Sequence, residues 1–281
     1  MSLIDLLIDA LAEDRLAHAP KSAAYRFYKS VARDQIEPLF KGVEGTAHEF
    51  GPFGKLSLPF TKMGAIDSLD LFGLDEIIIF TFYHANRARY RKVLDIGANL
   101  GLHSLVMSRC GFNVSAFEPD PWHYEKLTAN LVANQASSVE ANRAAISTED
   151  GEAQFVRVLG NTTGSHLAGA KESYGEREYF SVPVRAALPL LAAADLAKID
   201  AEGHEKDILL TTTPEIMDRL DVIVEIGSEG NAAGIFEHFD RLKVGMFAQK
   251  IGWSRAQSVA DLPTSHREGS LFISRKTEMP W

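Results

Sequence analysis

The sequence contains very little cysteine: among its 281 residues there is one, Cys110. A single thiol excludes an intramolecular disulfide and a zinc site built on several cysteines. The fold must therefore be held by an ordinary hydrophobic core, which is expected at this length, because covalent or metal staples are generally needed only below about 80 residues. We expect Cys110, which lies in an apolar helical stretch, to be a buried small hydrophobe.

Long apolar runs are also missing. The longest ones, such as the run around 77–82, are far shorter than the roughly 18 residues that suggest a membrane-spanning helix. The first 16 residues include early acidic side chains and have neither a basic start nor a small-residue cleavage site. We interpret them as an amphipathic helix, not as a secretion signal. The sequence therefore predicts a cytoplasmic protein without a membrane span.

Basic residues are too few to dominate the charge. There are 29 lysines and arginines against 38 aspartates and glutamates, which gives a net charge of −9. Binding to a phosphate backbone needs a broad basic surface, so we do not expect nucleic acid to be the main partner. A local basic patch would still be compatible with this composition.

The first part of the chain is predicted to be helical. Apolar residues recur at helical spacing in 3–17 and 22–40, and a glycine- and proline-containing arm at 41–62 suggests a small hairpin. We assign residues 1–62 to an N-terminal helical extension and arm, and residues 63–281 to the main domain. The two amphipathic helices suggest a homodimer formed through this extension.

From residue 91 onward, short runs rich in valine and isoleucine alternate with helical stretches. Such alternation predicts an α/β fold with a mostly parallel sheet covered by helices on both faces. Two later runs, at 244–251 and 269–276, are joined by a turn-rich segment and predict a closing antiparallel pair. The other predicted strands are 93–97, 113–120, 141–147, 196–203 and 221–227.

The connection between the third and fourth predicted strands, at 160–180, has two interpretations. It is an exposed connection containing a hairpin, or it is a cap over the active site. The second interpretation follows from a general rule, since loops at the carboxyl edge of a parallel sheet commonly carry specificity.

A glycine loop follows the first predicted strand, in the sequence DIGANLG at 95–101. Gly97 and Gly101 allow the backbone to approach a ligand closely at the carboxyl end of a parallel strand. The dinucleotide fingerprint G-x-G-x-x-G is not matched, and the Gly-Lys-Ser/Thr of a P-loop is absent. Because Asp95 adds a carboxylate that would repel a phosphate, the loop suits the cationic amino-acid end of a ligand.

A second signal stands 21 residues beyond Gly97, where the next strand ends in FEPD at 117–120. A carboxylate at this position can accept hydrogen bonds from both hydroxyls of a ribose. Glu118 alone would be weak evidence, because acids at strand ends are often only solvated. Together with the glycine loop it indicates adenosine joined to a cationic tail, which is S-adenosylmethionine.

These motifs resemble those of class I S-adenosylmethionine-dependent methyltransferases of the FkbM type. The resemblance rests on VLDIGANLG at 93–101, AFEPDP at 116–121, KIDAEGHE at 198–205 and VIVEIG at 222–227, and it covers roughly residues 65–275. It implies a Rossmann-like fold with a mostly parallel seven-stranded sheet and an antiparallel closing strand. It also implies methyl transfer to a hydroxyl of a small molecule, such as a sugar, a glycan, a lipid-linked glycan or a polyketide-type metabolite.

The resemblance also assigns cofactor-binding residues by their position in the motifs. Asp200 ends the fourth strand and would face the transferred methyl group. The other positions would meet the methionine end (Asp95, Gly97, Asn99, Gly101), the ribose (Glu118, with Pro119 and Asp120 beside it) and the adenine (Ala144 and Ala145, or Asn142 through its amide).

The acidic segment after the fourth strand carries the candidate catalytic residues. Asp200, Glu202 and Glu205 would lie at a helix N-terminus, where part of their role is capping and where the helix dipole favours negative charge. One interpretation is that His204 or Asp200 removes the proton of the acceptor hydroxyl. Another is that Asp200, Glu202 and Glu225 hold a divalent cation such as magnesium, which would lower the pKa of the hydroxyl. The sequence does not choose between them.

Two alternatives to O-methylation stay open. An N-methyltransferase needs less help from a base, so loss of Asp200 would harm it less. A non-catalytic scaffold would bind S-adenosylmethionine without turnover on any acceptor. The intact glycine loop and Glu118 argue against a decayed pocket.

Overall fold

The computed structural model describes residues 2–170 and 175–281, and its first elements are helices, as predicted. Ser2 caps the first helix in a capping box with Asp5, and Ser22 caps the second. A two-stranded hairpin lies within the arm predicted at 41–62. The elements are α1 (Leu3–Glu13), α2 (Ala23–Phe40), β1 (His48–Glu49), β2 (Lys55–Leu56) and α3 (Leu74–Ala85).

Strands and helices then alternate along the rest of the chain. Within the described ranges, no helix has both the length and the hydropathy needed to cross a membrane. The elements are β3 (Lys92–Ile96), α4 (Leu102–Arg109), β4 (Asn113–Phe117), α5 (Pro121–Ala133), β5 (Val139–Asn142), β6 (Ala145–Ser147), β7 (Gly151–Val158), β8 (His166–Leu167), β9 (Arg177–Ala186), α6 (Ala187–Ala193), β10 (Leu196–Ile199), α7 (Glu205–Leu209), α8 (Pro214–Met217), β11 (Asp221–Glu225), α9 (Glu229–Arg241), β12 (Gly245–Ala248), β13 (Ser254–Arg255) and β14 (Ser270–Ser274).

The main sheet has the strand order β13-β12-β14-β11-β10-β3-β4-β5. Neighbouring strands from β11 to β5 run parallel, whereas β14 runs antiparallel to β11 and to β12. The predicted Rossmann-like α/β fold with an antiparallel closing strand is therefore confirmed. The sheet has eight strands instead of the predicted seven, because the two-residue β13 pairs with β12 at the edge.

A second sheet of four strands, in the order β6-β9-β7-β8, was not predicted. The prediction of one strand over 141–147 is wrong, because β5 ends at Asn142 in the main sheet and β6 begins at Ala145 in the second sheet. Within 160–180 the structure shows the antiparallel partners β8 and β9 of β7, which agrees with the hairpin interpretation. Residues 171–174 of the connection lie outside the described residues, so the predicted cap is not described over its full length.

The N-terminal helices α1 and α2 pack against α3 and against each other. Their buried side chains belong to one apolar cluster with Val93 and Val114 of the sheet. This cluster also contains Leu58 and Phe72, which lie on either side of the boundary predicted between 62 and 63. Part of the apolar surface of α1 and α2 is thus covered within the chain, while Leu3, Leu6 and Phe27 are exposed. The domain division and the homodimer both stay predictions. Cys110 is buried, as expected.

His18 ties the N-terminal helices to the C-terminal part of the chain. Its Nε2 donates to the Leu11 carbonyl (2.8 Å), and its Nδ1 accepts a hydrogen bond from Trp253 Nε1 (2.9 Å), which assigns the neutral tautomer. The ring of Trp281 lies 4.5 Å away, measured between centroids. Burial lowers the pKa of His18 to about 4, because the closed surroundings disfavour the imidazolium.

We expect His18 to make the fold sensitive to mild acid. The unfolded chain binds a proton at His18 near pH 6.5, whereas the folded chain binds it only near pH 4, so stability falls as the pH decreases through this window. A shift of this size corresponds to about 3 kcal/mol. In urea unfolding between pH 7 and 4, His18→Gln should lose less stability than the wild type. His123, whose pKa is also lowered to about 4 by burial, supplies part of the remaining slope. If the free energy of unfolding of His18→Gln depends on pH as that of the wild type does, His18 is not a source of the acid sensitivity.

Candidate active site

A cavity of about 1100 Å³ opens at the carboxyl ends of the parallel strands. The segments after β3, β4, β10 and β11 contribute to its floor, α2 and the segment before α3 line one wall, and the second sheet lines another. This is the edge at which open parallel sheets bind ligands. Most of the predicted site residues line the cavity: Gly97, Asn99, Glu118, Pro119, Ala144, Asp200, Glu202 and His204.

Asp95, Gly101 and Asn142 are not among the residues that line the cavity. Asp95 is fully buried, its Oδ2 accepts a hydrogen bond from Ser104 Oγ (2.6 Å), and Lys198 Nζ lies 3.9 Å from its Oδ1. Gly101 is the N-cap residue before α4 and has the left-handed conformation. The amide of Asn142 donates weakly to two backbone carbonyls of the main sheet, at 3.3 and 3.5 Å. Contact of these three residues with a cofactor stays a prediction.

Gly97 is the point at which two strand ends touch. Its φ is +78°, and a Cβ added there would stand 1.8 Å from the carbonyl oxygen of Asp200. The backbone N–H of Gly97 also donates to the Phe117 carbonyl (3.0 Å). Only glycine combines this conformation with this approach, so glycine lets the loop lie against the segment that follows β10.

Glu118 joins the glycine loop to the end of β4. Its Oε2 accepts a hydrogen bond from the Asn99 N–H (2.8 Å), and its Oε1 accepts one from the Asp120 N–H (2.9 Å). Burial raises the pKa of Glu118 to about 8, although both backbone donors favour the ionised form. A carboxylate has about four acceptor positions, so two are left, the number that a ribose diol requires.

Asn99 adds an acceptor that the described residues leave unused. Its φ is +52°, in the left-handed region that asparagine tolerates better than most residues. In the part of the chain that the structure describes, its buried Oδ1 has no hydrogen-bond partner. An acceptor of this kind on a cavity wall fits a ligand donor such as an ammonium group.

Lys198 is a buried cation among carboxylates at the end of β10. Its Nζ lies 3.4 Å from Asp200 Oδ2 and 3.5 Å from the Gly97 carbonyl. Burial opposes its charge, but Asp200, Asp95, Glu76 and Glu225 together hold the pKa of Lys198 above its ordinary value. Asp200 therefore faces the cavity as one half of an ion pair.

Glu225 ends β11, beside the end of β10. Ile199 pairs with Val224, so Asp200 and Glu225 occupy the next position of the parallel register. Burial, followed by the charges of Asp200, Glu76 and Glu202, raises the pKa of Glu225 well above its ordinary value.

His204 and Glu205 are both engaged within the fold. His204 Nε2 lies 2.8 Å from Ser147 Oγ, and its Nδ1 lies 3.3 Å from Asp207 Oδ2. Burial lowers the pKa of His204. Glu205 Oε1 accepts hydrogen bonds from the Ala201 and Gly203 N–H groups, at 3.0 and 2.9 Å; both donors precede His204, the N-cap of α7, for which the described residues show no side-chain cap. For His204 to act as a base, its bond with Ser147 must break, so this role stays a prediction.

The sequence analysis missed Glu76, which lies in the first turn of α3 and on the cavity wall. Its Oε2 is 2.8 Å from His103 Nε2, and His103 Nδ1 is 3.0 Å from the Tyr83 hydroxyl. Burial alone would raise the pKa of Glu76, but the hydrogen bond and charge of His103 lower it. The available signal was an acidic pair at the start of an apolar helix.

The magnesium interpretation finds no support in the structure. Among residues 2–170 and 175–281, no three histidine, cysteine, aspartate or glutamate side chains are arranged to hold a metal ion together. Asp200 faces the cation of Lys198 at 3.4 Å.

Comparison with known proteins identifies the family. Residues 95–243, more than half of the chain, match the methyltransferase FkbM domain. The chain belongs to this family. It is 28% identical over 137 residues to hexuronic acid methyltransferase AglP of Haloferax volcanii, an alignment covering 47% of this chain and 54% of AglP. It is 26% identical over 166 residues to Methyltransferase 1 of Beauveria bassiana, an alignment that covers 50% of this chain and 67% of that protein. The chain thus spans about half the length of AglP.

Solved structures show more distant likenesses. An FkbM methyltransferase from Methylobacillus flagellatus KT aligns with a TM-score of 0.40 and 13% identity, covering 73% of this chain and 52% of that one. An O-methyltransferase from Bacillus cereus aligns with a TM-score of 0.36 and 13% identity, and the alignment covers 69% of this chain and 78% of that one. Scores under 0.5 add nothing to the assignment, which rests on the match at 95–243.

Proposed function

We propose that this chain transfers a methyl group from S-adenosylmethionine to a hydroxyl of a small molecule. Membership of the FkbM family supports methyl transfer. The assignment of S-adenosylmethionine as the cofactor depends on the position of Glu118. This buried carboxyl lies between the glycine loop and the end of β4, and two of its acceptor positions are left. When bound, S-adenosylmethionine supplies an electrophilic methyl group on a positively charged sulfur.

The residues around Glu118 fit the parts of this cofactor. Glu118 would accept hydrogen bonds from the two ribose hydroxyls, and the unused Oδ1 of Asn99 would accept one from the amino group. Gly97, which lines the cavity with them, would contact the chain that joins the ribose to the amino group. Ala144 and Phe155 provide apolar walls for the adenine.

The acceptor end of the cavity is rich in carboxylates. The name of AglP specifies a hexuronic acid, but in this chain the lysines and the arginine that line the cavity are exposed on α2 or directly after it (Lys29, Arg33, Lys41). Carboxylates accept hydrogen bonds from hydroxyls and repel another acid, so a neutral sugar or glycan fits this cavity better than an acidic one. The acids that line it include Asp67, Asp70, Asp75, Glu76, Asp200, Glu202 and Glu225.

The same excess of carboxylates favours one other candidate, an amine acceptor. A protonated amine would be attracted to these acids, which makes N-methylation the second proposal. The two are separated by incubating the protein with methyl-labelled S-adenosylmethionine and panels of polyols and amines. Mass spectrometry of the product then shows whether the label is on oxygen or nitrogen.

The cofactor proposal predicts that Glu118→Ala loses S-adenosylhomocysteine binding. Two hydrogen bonds to a carboxylate, at about 1.5–3 kcal/mol each, correspond to a loss of at least about 100-fold. Calorimetric titration of the wild type, of Glu118→Ala and of Glu140→Ala on the exposed face of β5 measures this. The Glu140 variant should bind normally. Circular dichroism reports whether Glu118→Ala stays folded.

The outcomes of this titration separate the claims. If the wild type does not bind S-adenosylhomocysteine, the proposed function is wrong. If the folded Glu118→Ala variant binds as the wild type does, the ribose contact assigned to Glu118 is wrong while the cofactor stands.

A further inference from the structure

Methyl transfer to a hydroxyl needs a group that takes the proton, and most candidates on the cavity floor are already engaged. Asp200 is paired with Lys198. His204 has Ser147 on one ring nitrogen and an aspartate on the other. Glu205 accepts hydrogen bonds from two backbone N–H groups. A proton taken by Asp200 would neutralise its half of the ion pair with Lys198, and His204 would have to release Ser147 or Asp207 before it could accept one.

Glu225 differs from these groups. It lines the cavity beside Asp200, and in the part of the chain that the structure describes its carboxyl has no hydrogen-bond partner. On its other side it shares a small cavity of about 10 Å³ with Glu76, His103 and Lys198, which three isoleucines also line. It is therefore an acid that has no hydrogen-bond partner among the described residues and lies between the main cavity and the partly buried polar side chains of Glu76, His103 and Lys198.

We propose that Glu225 is the catalytic base that takes the proton of the acceptor hydroxyl, an inference that rests on the proposed function. The hydroxyl O–H bond breaks and the proton moves to a carboxylate oxygen of Glu225. The hydroxyl oxygen forms the new bond to the methyl carbon. The carbon–sulfur bond breaks and its electron pair stays on sulfur. One cation and one carboxylate thus become a neutral thioether and a neutral carboxyl group.

The charges around Glu225 explain how this carboxyl serves as a base only when the cofactor is present. Asp200 and Glu202 face it from the segment after β10, Glu76 faces it from α3, and Lys198 is the opposing cation. The three acids and burial raise the pKa of Glu225, so it holds a proton readily. A sulfonium cation bound nearby would lower that pKa and release the proton. After methyl transfer the cation is gone, and the pKa rises again.

Proton release on binding tests this proposal without an acceptor. S-adenosylmethionine carries the sulfonium charge and S-adenosylhomocysteine does not, so the former should release more protons by up to about one per site. Calorimetric titrations near neutral pH in buffers of different ionisation enthalpy measure this number. Glu225→Gln should abolish the difference between the two ligands, and Glu225→Asp should retain it. The control Glu229→Gln, exposed in the first turn of α9, should leave the difference unchanged.

Each outcome bears on a separate claim. The ribose that Glu118 would contact is the same in both ligands, so any proton that Glu118 releases cancels in the difference. If Glu225→Gln binds both ligands and keeps the wild-type difference in proton release, or if the wild type shows no difference, Glu225 is not the base. If the wild type binds neither ligand, the proposed function itself is wrong. If circular dichroism shows that Glu225→Gln is misfolded, the test passes to Glu225→Asp. Loss of the difference in proton release in Glu225→Asp would then overturn the proposal, and retention of that difference would support it.

Discussion

Gly97→Ala is expected to abolish S-adenosylhomocysteine binding and to destabilise the fold. The new Cβ would stand 1.8 Å from the carbonyl oxygen of Asp200, so either the glycine loop or the end of β10 must move. A left-handed φ of +78° adds a second cost for a residue with a side chain. Together these effects amount to about 2–5 kcal/mol. Urea unfolding and calorimetric titration of the variant measure both consequences.

Gly111→Ala is the matched control for this prediction. Gly111 also has a positive φ, +84°, but a Cβ added there meets nothing within 4 Å. The variant should therefore lose only the conformational part, about 1–2 kcal/mol, and bind S-adenosylhomocysteine as the wild type does. If Gly97→Ala binds the ligand with unchanged affinity, the contact between the glycine loop and Asp200 does not shape the site.

The sequence predicts those site residues that lie at the end of a strand or in the few residues that follow it. Parallel strands end at one edge, so motifs after three strands predict that Gly97, Glu118 and Asp200 meet there. The structure places all three on one cavity. The antiparallel pair at the end of the chain followed from two apolar runs joined by a turn-rich segment.

The parts that were missed depend on partners far apart in the chain. Glu76 and His103 are 27 residues apart and meet because α3 packs beside α4. The segment 141–147 is continuous in composition, so nothing in its pattern shows that the chain changes sheet between Asn142 and Ala145. Asp95 matches the family motif, yet its side chain is held beneath the loop by Ser104. A motif fixes the position of a residue along a strand, while its side-chain partners depend on packing.

The second sheet forms a wall of the cavity through a small number of polar links to α5. Asp120, the N-cap of this helix, is 1% exposed and accepts two hydrogen bonds from Arg157 of β7, at 2.7 and 2.6 Å. His123 Nε2 lies 2.9 Å from Thr162 Oγ1, and the Thr162 N–H donates to the Met63 carbonyl (3.0 Å). These links position the side of the cavity assigned to the adenine.

Arg157→Ala should therefore weaken both stability and ligand binding. It leaves Asp120 buried without its cation, and breaking a buried pair in this way costs about 3–5 kcal/mol. Because Phe155 and Thr162 lie on the same wall, we expect weaker binding of S-adenosylhomocysteine as well. Urea unfolding and calorimetry measure the two effects. Arg185→Ala is the control, since Arg185 of β9 pairs with Asp150 at 3.6 Å on the exposed side of the same sheet and should change neither quantity.

A double-mutant cycle shows whether the pair itself is responsible. In the Arg157→Ala background, Asp120→Asn removes the stranded charge while keeping an oxygen that can cap α5, so the double variant should be more stable than the sum of the single losses predicts. Additive losses would contradict the link between Asp120 and Arg157. A positive coupling accompanied by recovery of S-adenosylhomocysteine affinity would indicate that the stranded charge, more than the missing arginine, displaces the adenine wall. Weak binding that persists in the double variant would instead assign the placement of that wall to Arg157.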